Sequence, residues 1–314
     1  MTRVVVAGHA KINLHLGVGD LRADGYHELT TVFQSLALHD LVTVESVEGV
    51  SGVCGLSVSG LDAGEVPGDE RNLAWRAAQA VFADVLTLDP AAELPGIRIH
   101  IDKRIPTAGG MAGGSADAAA ALIGTAAVLR EHGLPTPGAD RLLDLATQLG
   151  SDVPFTLLGG TRIGTGRGEL LEVVSTTARV NWVLAFIRGG LPTPRVFSTL
   201  DQLRADGFAP RTVLAPDALR SALAAGDVTE VATHLVNDLQ LAATMLKPEL
   251  ASVLAAGVRS GALAGLVSGS GPTCVFLCAD PESARCVAAD LAAQGGAVIR
   301  TVTTTGPAPG AELV

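Results

Sequence analysis

Between Lys103 and Leu122 the sequence reads KRIPTAGGMAGGSADAAAAL, with Gly109, Gly110, Gly113 and Gly114 set directly before an alanine-rich run. Glycine costs backbone entropy on folding, so its concentration where a helix must start requires a use. Glycines there let the chain curl until several N–H groups converge on one point, and the first turn of a helix adds about half a positive charge. Together they make a cradle for an anion such as phosphate. Gly109 to Ser115 contains no cation, although Lys103 and Arg104 lie just upstream. The stretch is neither a GxxxxGK[ST] loop nor a GxGxxG fingerprint. A second glycine cluster, GTGRG at Gly164 to Gly168, reads as a hairpin turn rather than a phosphate loop.

A cradle needs rigid ends, and the flanking residues supply them. GIRIHIDKRIP alternates at Ile97, Ile99 and Ile101, a half-buried strand that Pro106 ends. Downstream, the spacing predicts a helix from about Ser115 to His132, with Ala118, Leu122, Ala126 and Leu129 on one stripe. A second helix, Ala139 to Leu149, stops at Gly150, after which Pro154 should force the chain to extend. Near the start, Val4 to Val6 and then Ile12, Leu14 and Leu16 read as an opening strand pair with Lys11, Asn13 and His15 on the opposite face. Asp24-Gly25 marks a tight turn, residues 36–58 are β-rich, and Asn72 to Leu86 has helical spacing.

Beyond the hairpin, VNWVLAFIRGG reads as a buried strand, residues 218–225, 228–234 and 248–260 as helices, and ALAGLVSGSGPTCVFLC as strand, glycine turn and strand. The tail PAPGAELV should be loose. The order is mixed α+β, with a boundary near residue 163 that divides the chain into 1–163 and 164–314.

Composition narrows the classes of partner. The 314 residues are 48% hydrophobic and 17% charged, a globular balance with ample surface to bury. No apolar run reaches the roughly 18 residues of a membrane span, and the first residues meet polar groups too early for a secretory segment, which points to the cytoplasm. Cys54, Cys274, Cys278 and Cys286 form no CxxC pair and read as thiols rather than zinc ligands or a disulfide framework. A net charge of −10 without a basic run argues against nucleic acid. An anionic ligand would have to be held by local dipoles or a few placed cations. Only three lysines are present, Lys11, Lys103 and Lys247.

PTAGGMAGGSADAAAAL resembles the second motif of the GHMP kinases, the superfamily of galactokinase, homoserine kinase and mevalonate kinase, and LVSGSGPTCVFL is similar to its third, glycine-rich motif. AKINLHLGVGDLRADGYHEL, GSDVPF and LPTPRVF resemble, in order, the branch whose acceptor is a cytidyl diphosphate sugar alcohol of the non-mevalonate isoprenoid route. The resemblance runs from residue 9 to about 278. It implies an α+β fold of two domains with the active-site cleft between them, the first domain binding ATP and the second contributing to the acceptor site. The implied reaction moves a phosphoryl group from ATP, with Mg²⁺, to an alcohol.

Matched residue by residue, the resemblance implies ATP contacts at Pro106, Ala108, Gly109, Gly110, Gly113, Gly114 and Ser115, with metal ligands unassigned. It makes Lys11 the catalytic cation and Asp152 the base; spacing alone would make one a solvated strand lysine and the other a cap. Tyr26 and Phe197 are implied as an aromatic sandwich around cytosine, His27 as a hydrogen-bonding partner of the base edge, and Asn13 as a contact for substrate diphosphate or hydroxyls. Ala112 stands where the motif usually has glycine, and Ala116 where a second serine is common. Two rival readings are a GHMP kinase for homoserine or mevalonate, and a non-catalytic nucleotide or sugar sensor. Neither small alcohol has a base to stack, and a sensor has no need of both Lys11 and Asp152.

Overall fold

The structure, a computed structural model, describes residues 1–107, 109–210 and 215–314. Ala108, one of the expected nucleotide contacts, lies outside the described residues. In chain order the first half comprises β1 (Arg3–Leu21), β2 (His27–Val47), β3 (Gly52–Gly60), α1 (Leu73–Leu88), β4 (Gly96–Lys103), α2 (Gly113–Glu131), α3 (Ala139–Leu149), α4 (Val153–Leu158), β5 (Thr161–Gly166) and β6 (Leu170–Val173). The second half comprises β7 (Val180–Ile187), α5 (Thr193–Ala205), α6 (Asp217–Ala225), α7 (Val228–Thr233), β8 (Val236–Asn237), α8 (Leu239–Leu246), α9 (Glu249–Arg259), β9 (Ala264–Val267), β10 (Cys274–Cys278), α10 (Pro281–Gln294), β11 (Val298–Gly306) and β12 (Glu312–Leu313).

Two sheets carry the fold. The larger runs β12-β1-β2-β4-β3, with β5 and β6 continuing from one end of β2 and β8 beside β1; the smaller runs β11-β7-β10-β9. The opening pair is one continuous strand, β1, whose antiparallel partner β2 follows the Asp24-Gly25 turn. Register shifts between His9 and Lys11 and between Asn13 and His15 re-aim side chains, as bulges do. Both faces of β1 are therefore covered, and Lys11 and Asn13 are buried rather than solvated.

Three apolar clusters follow. Helices α1, α2 and α3 pack on one face of β1, β2 and β4 through Val81, Ile99, Leu122 and Leu129. Helices α5, α8, α9 and α10 cover the small sheet through Leu200, Ala243, Val253 and Val287. The third joins the sheets: Ile12, Leu14 and Leu36 meet Trp182, Leu184 and Val275, and Trp182 donates its indole N–H to Gln34 at 2.9 Å.

Two sequence expectations fail here for identifiable reasons. Pro154 does not extend the chain; it occupies the first turn of α4, where its missing N–H costs nothing and its fixed φ suits a helix. The tail is not loose: Ala308 is buried, and Glu312 and Leu313 pair with Ala7 and Val6 at the edge of β1. The GTGRG turn is as read, linking β5 to β6. Residue 163 itself lies inside β5, and the chain passes from the large sheet to the small one between Val173 and Val180.

Candidate active site

The glycine stretch closes into a tight loop between β4 and α2. Gly110 (φ +71°) and Ala112 (φ +57°) both take left-handed backbone, and Ala112 occupies the N-cap of α2, so Gly113 and Gly114 are the helix's first two residues. The loop is locked to two distant segments. Lys11 donates its backbone N–H to Met111 O at 3.1 Å, and Ser268 donates its hydroxyl to Gly110 O at 3.1 Å. A Cβ on Gly110 would lie 2.5 Å from Ser268 O, a close approach that only glycine permits. SGSGPT of the third motif is thus packed directly on the second.

A cavity of about 390 Å³ opens over this loop, within the usual range for small-molecule sites. Pro106, Gly109, Gly110, Gly113 and Gly114 line it, together with the apolar side chains of Val66, Pro67 and Leu73. Ser115 shares the first turn of α2 but is not among the lining residues. Beneath the loop, Lys103 donates to Asp117 at 2.7 Å and to Asp40, all three side chains being buried. Burial alone would lower the lysine's pKa, but the two carboxylates outweigh it and hold the ammonium above its ordinary value. Two carboxylates share one cation, and burial pushes Asp117 up to about 8 against the pull of Lys103. Asp40 also accepts the N–H of Ile105 at 2.8 Å. The triad therefore ties β2, the end of β4 and the first turns of α2 together.

Lys11 and Asp152 converge. The Lys11 ammonium stands 3.7 Å from the Asp152 carboxylate, donates to Asn13 Oδ1 at 2.9 Å and lies 5.0 Å from the centroid of Phe33. Asp152 is the N-cap residue of α4, yet its side chain makes no cap hydrogen bond; it faces the lysine instead. Asn13 is oriented in turn by donating to Thr31 Oγ1 at 2.8 Å. Among the described residues no group of three His, Cys, Asp or Glu side chains could hold a metal ion.

Tyr26, His27 and Phe197 line a second cavity of about 440 Å³ together with Ser151, the neighbour of Asp152. Tyr26 is exposed, with the Arg167 guanidinium 5.2 Å from its ring centroid. Phe197, on α5, lies 5.1 Å from the His27 ring at an interplanar angle of 29°. The start of α5 is pinned to the third motif by Thr193 and Ser270, whose hydroxyls are 2.9 Å apart.

The description GHMP kinases N terminal domain matches residues 72–160, and GHMP kinases C terminal matches residues 219–297. A 4-diphosphocytidyl-2-C-methyl-D-erythritol kinase of Nocardia farcinica is 53% identical over 312 residues, covering 99% of this chain and 96% of the relative. The chain belongs to the GHMP kinases. A kinase of the same name from Rhodococcus jostii is 51% identical, covering 99% of this chain and 95% of the relative. A crystal structure of 4-(cytidine 5'-diphospho)-2C-methyl-D-erythritol kinase superposes with a TM-score of 0.76 at 34% identity, covering 97% of this chain and 99% of that one.

Several residues of this GHMP kinase that shape the site carry no sequence signal of their own. Asn237 donates to the carbonyls of Val267 and Gly269, both at 2.8 Å, and so braces the third glycine loop. Asp201 receives the His27 ring nitrogen, and Arg167 comes from the hairpin turn. Asp40 and Asp117 read as ordinary acidic residues until β2 and α2 bring them to Lys103. No helix of the described residues is by itself long and apolar enough to cross a membrane.

Proposed function

We propose that the protein transfers the γ-phosphoryl group of ATP to the 2-hydroxyl of 4-diphosphocytidyl-2-C-methyl-D-erythritol, giving ADP and the 2-phosphate, in the cytoplasmic non-mevalonate route to isoprenoids. The observation that carries the reading is the Lys11–Asp152 couple at 3.7 Å. Lys11 is bonded through its backbone to the glycine loop, and Asp152 adjoins the lining of the aromatic cavity. A cation and an acceptor for a hydroxyl proton thus stand where a nucleotide and an alcohol would meet.

The nucleotide lies over the loop, its phosphates against the N–H groups at Gly109 to Ser115 and its adenine against Val66, Pro67 and Leu73. A Mg²⁺ ion beside the triphosphate would supply charge neutralisation. Lys11 offsets charge on the transferred group, and Asp152 orients the acceptor hydroxyl. The proton moves late, once the oxygen has become acidic, and orientation is the larger share of Asp152's effect. Asn13 meets acceptor hydroxyls or diphosphate. Tyr26 and Phe197 enclose the cytosine, and His27 meets its edge. We also propose the division into 1–163 and 164–314, the second part supplying α5 and the third glycine loop to the acceptor side.

An ADP-release assay with ATP-Mg²⁺ tests the reading. Release is expected with the cytidyl acceptor and absent with homoserine and mevalonate, and CDP should compete with the acceptor. Release driven by either small alcohol and indifferent to CDP would replace it.

A further inference from the structure

The Lys11 ammonium sits over an aromatic ring that is itself enclosed. Phe33, on β2, stands opposite Asn13 in the register with β1, and the ammonium lies 5.0 Å from its ring centroid. The ring is buried and meets Phe155 at a centroid distance of 4.9 Å and an interplanar angle of 37°. Phe155 lies in the first turn of α4, the helix whose N-cap is Asp152. The GTGRG hairpin closes on one edge of the ring: a Cβ on Gly164 would stand 2.9 Å from Phe33 Cε2, and one on Gly168 would stand 3.2 Å from Phe33 Cζ. The glycines of this turn thus permit a close approach to one ring, which side chains there would prevent.

We infer that Phe33 is a positioning residue for the phosphoryl transfer: wedged between Phe155 and the glycine hairpin, it seats the Lys11 ammonium at its working distance from Asp152. The inference rests on the reading that the Lys11–Asp152 couple carries the transfer, and adds what sets its spacing. A lysine's four-carbon stem is flexible and does not fix its ammonium. Asn13 Oδ1 gives that ammonium one hydrogen bond at 2.9 Å, and the face of an aromatic ring attracts a cation from a second direction. Because Phe155 and Asp152 belong to the same end of α4, the Phe33 ring is in contact with the strand side and the helix side of the couple at once. Thr156, next along α4, donates to Ser115 O at 3.0 Å, so the same helix end is also tied to the phosphate loop.

Phe33→Leu keeps an apolar side chain and removes the aromatic face. ADP release from the full chain should show kcat lowered by about tenfold, with the KM for ATP and for the cytidyl acceptor hardly moved, as for a group that acts only on the transfer step. The deciding measurement is the cycle with Lys11→Met. A residue acting through the lysine costs nothing further once the lysine is gone, whereas a general loosening of the core lowers kcat by the same factor in both backgrounds. Gly164→Ala, which presses a methyl on the ring edge from the hairpin, carries the same cycle should Phe33→Leu melt below the assay temperature. Wild-type kcat in the variant used, or equal losses with and without Lys11, overturns the inference while the reading of the couple stands. If Lys11→Met itself turns over like wild type, the reading of the couple falls and this inference with it.

Discussion

The Lys11 ammonium and the Asp152 carboxylate lie 3.7 Å apart, one on the central strand β1 and the other at the turn before α4. Lys11 is held by Asn13 and Phe33 and hardly exposed, whereas Asp152 is a third exposed on its side chain. The buried member is fixed, and the open one can face an incoming alcohol. Asp152→Asn should lower kcat by about 10²- to 10⁴-fold, the range of a positioned general base, while ATP binding stays within a few-fold. Lys11→Met should cost a comparable factor. Fluorescent-nucleotide titration beside ADP release separates the two effects; wild-type turnover in Asp152→Asn would remove the aspartate from the mechanism.

Gly110 and Ala112 have the same left-handed backbone but opposite tolerance. A methyl on Gly110 would meet Ser268 O at 2.5 Å in addition to the strain of positive φ, so Gly110→Ala should raise the KM for ATP and destabilise by more than the roughly 1–2 kcal/mol of the backbone alone. Ala112 already bears that strain. Ala112→Gly relieves it at the cost of a more flexible unfolded chain, leaving a net gain of about 0.5–1 kcal/mol. Thermal melts of the two variants should move in opposite directions.

What could be read from the residues follows from how local each cause is. The loop-to-helix junction at Gly109 to Ser115 and the alternation at Ile97 to Ile101 are written in short stretches, and both take their expected form. Pro154 misled because its effect depends on its place within a helix: in the first turn, just after the N-cap residue Asp152, it is compatible. The tail misled because its pairing partner, β1, lies at the other end of the chain. Asp201, Asp40 and Asn237 were illegible for the same reason, since each acquires its role from a residue far away in sequence.

The buried triad should dominate stability near the loop. Lys103→Met leaves Asp40 and Asp117 facing each other without a cation, and breaking a buried ion pair on one side costs about 3–5 kcal/mol. Asp117→Asn should be far milder at neutral pH. Burial pushes the Asp117 pKa up, Lys103 keeps Asp40 as a carboxylate partner, and the amide oxygen can still accept from Lys103. Urea unfolding at pH 7 checks the order; equal losses in the two variants would contradict the charge assignment.

His9 should make the fold acid-sensitive at the seam with the C-terminal strand. The ring is buried, its Nδ1 donates to Leu36 O at 2.8 Å, and its Nε2 lies 3.6 Å from Glu312 of β12, with the His39 ring 5.2 Å away. Burial is the largest influence and lowers the pKa; the Leu36 bond and Glu312 oppose it, His39 adds to it, and the net shift is downward. A depressed folded pKa means that the unfolded chain takes up the proton first. The contribution of neutral His9 is therefore present above the unfolded value near 6.5 and is lost as pH falls through the folded one, by up to about 1.4 kcal/mol per pH unit. In His9→Gln, which keeps a donor for Leu36 O but cannot titrate, that loss disappears. Melting temperatures at pH 7.5 and 5 should show wild type well above the variant at the higher pH and the gap narrowing at the lower. A gap that stays constant or widens on acidification would mean that His9 does not stay neutral in the fold.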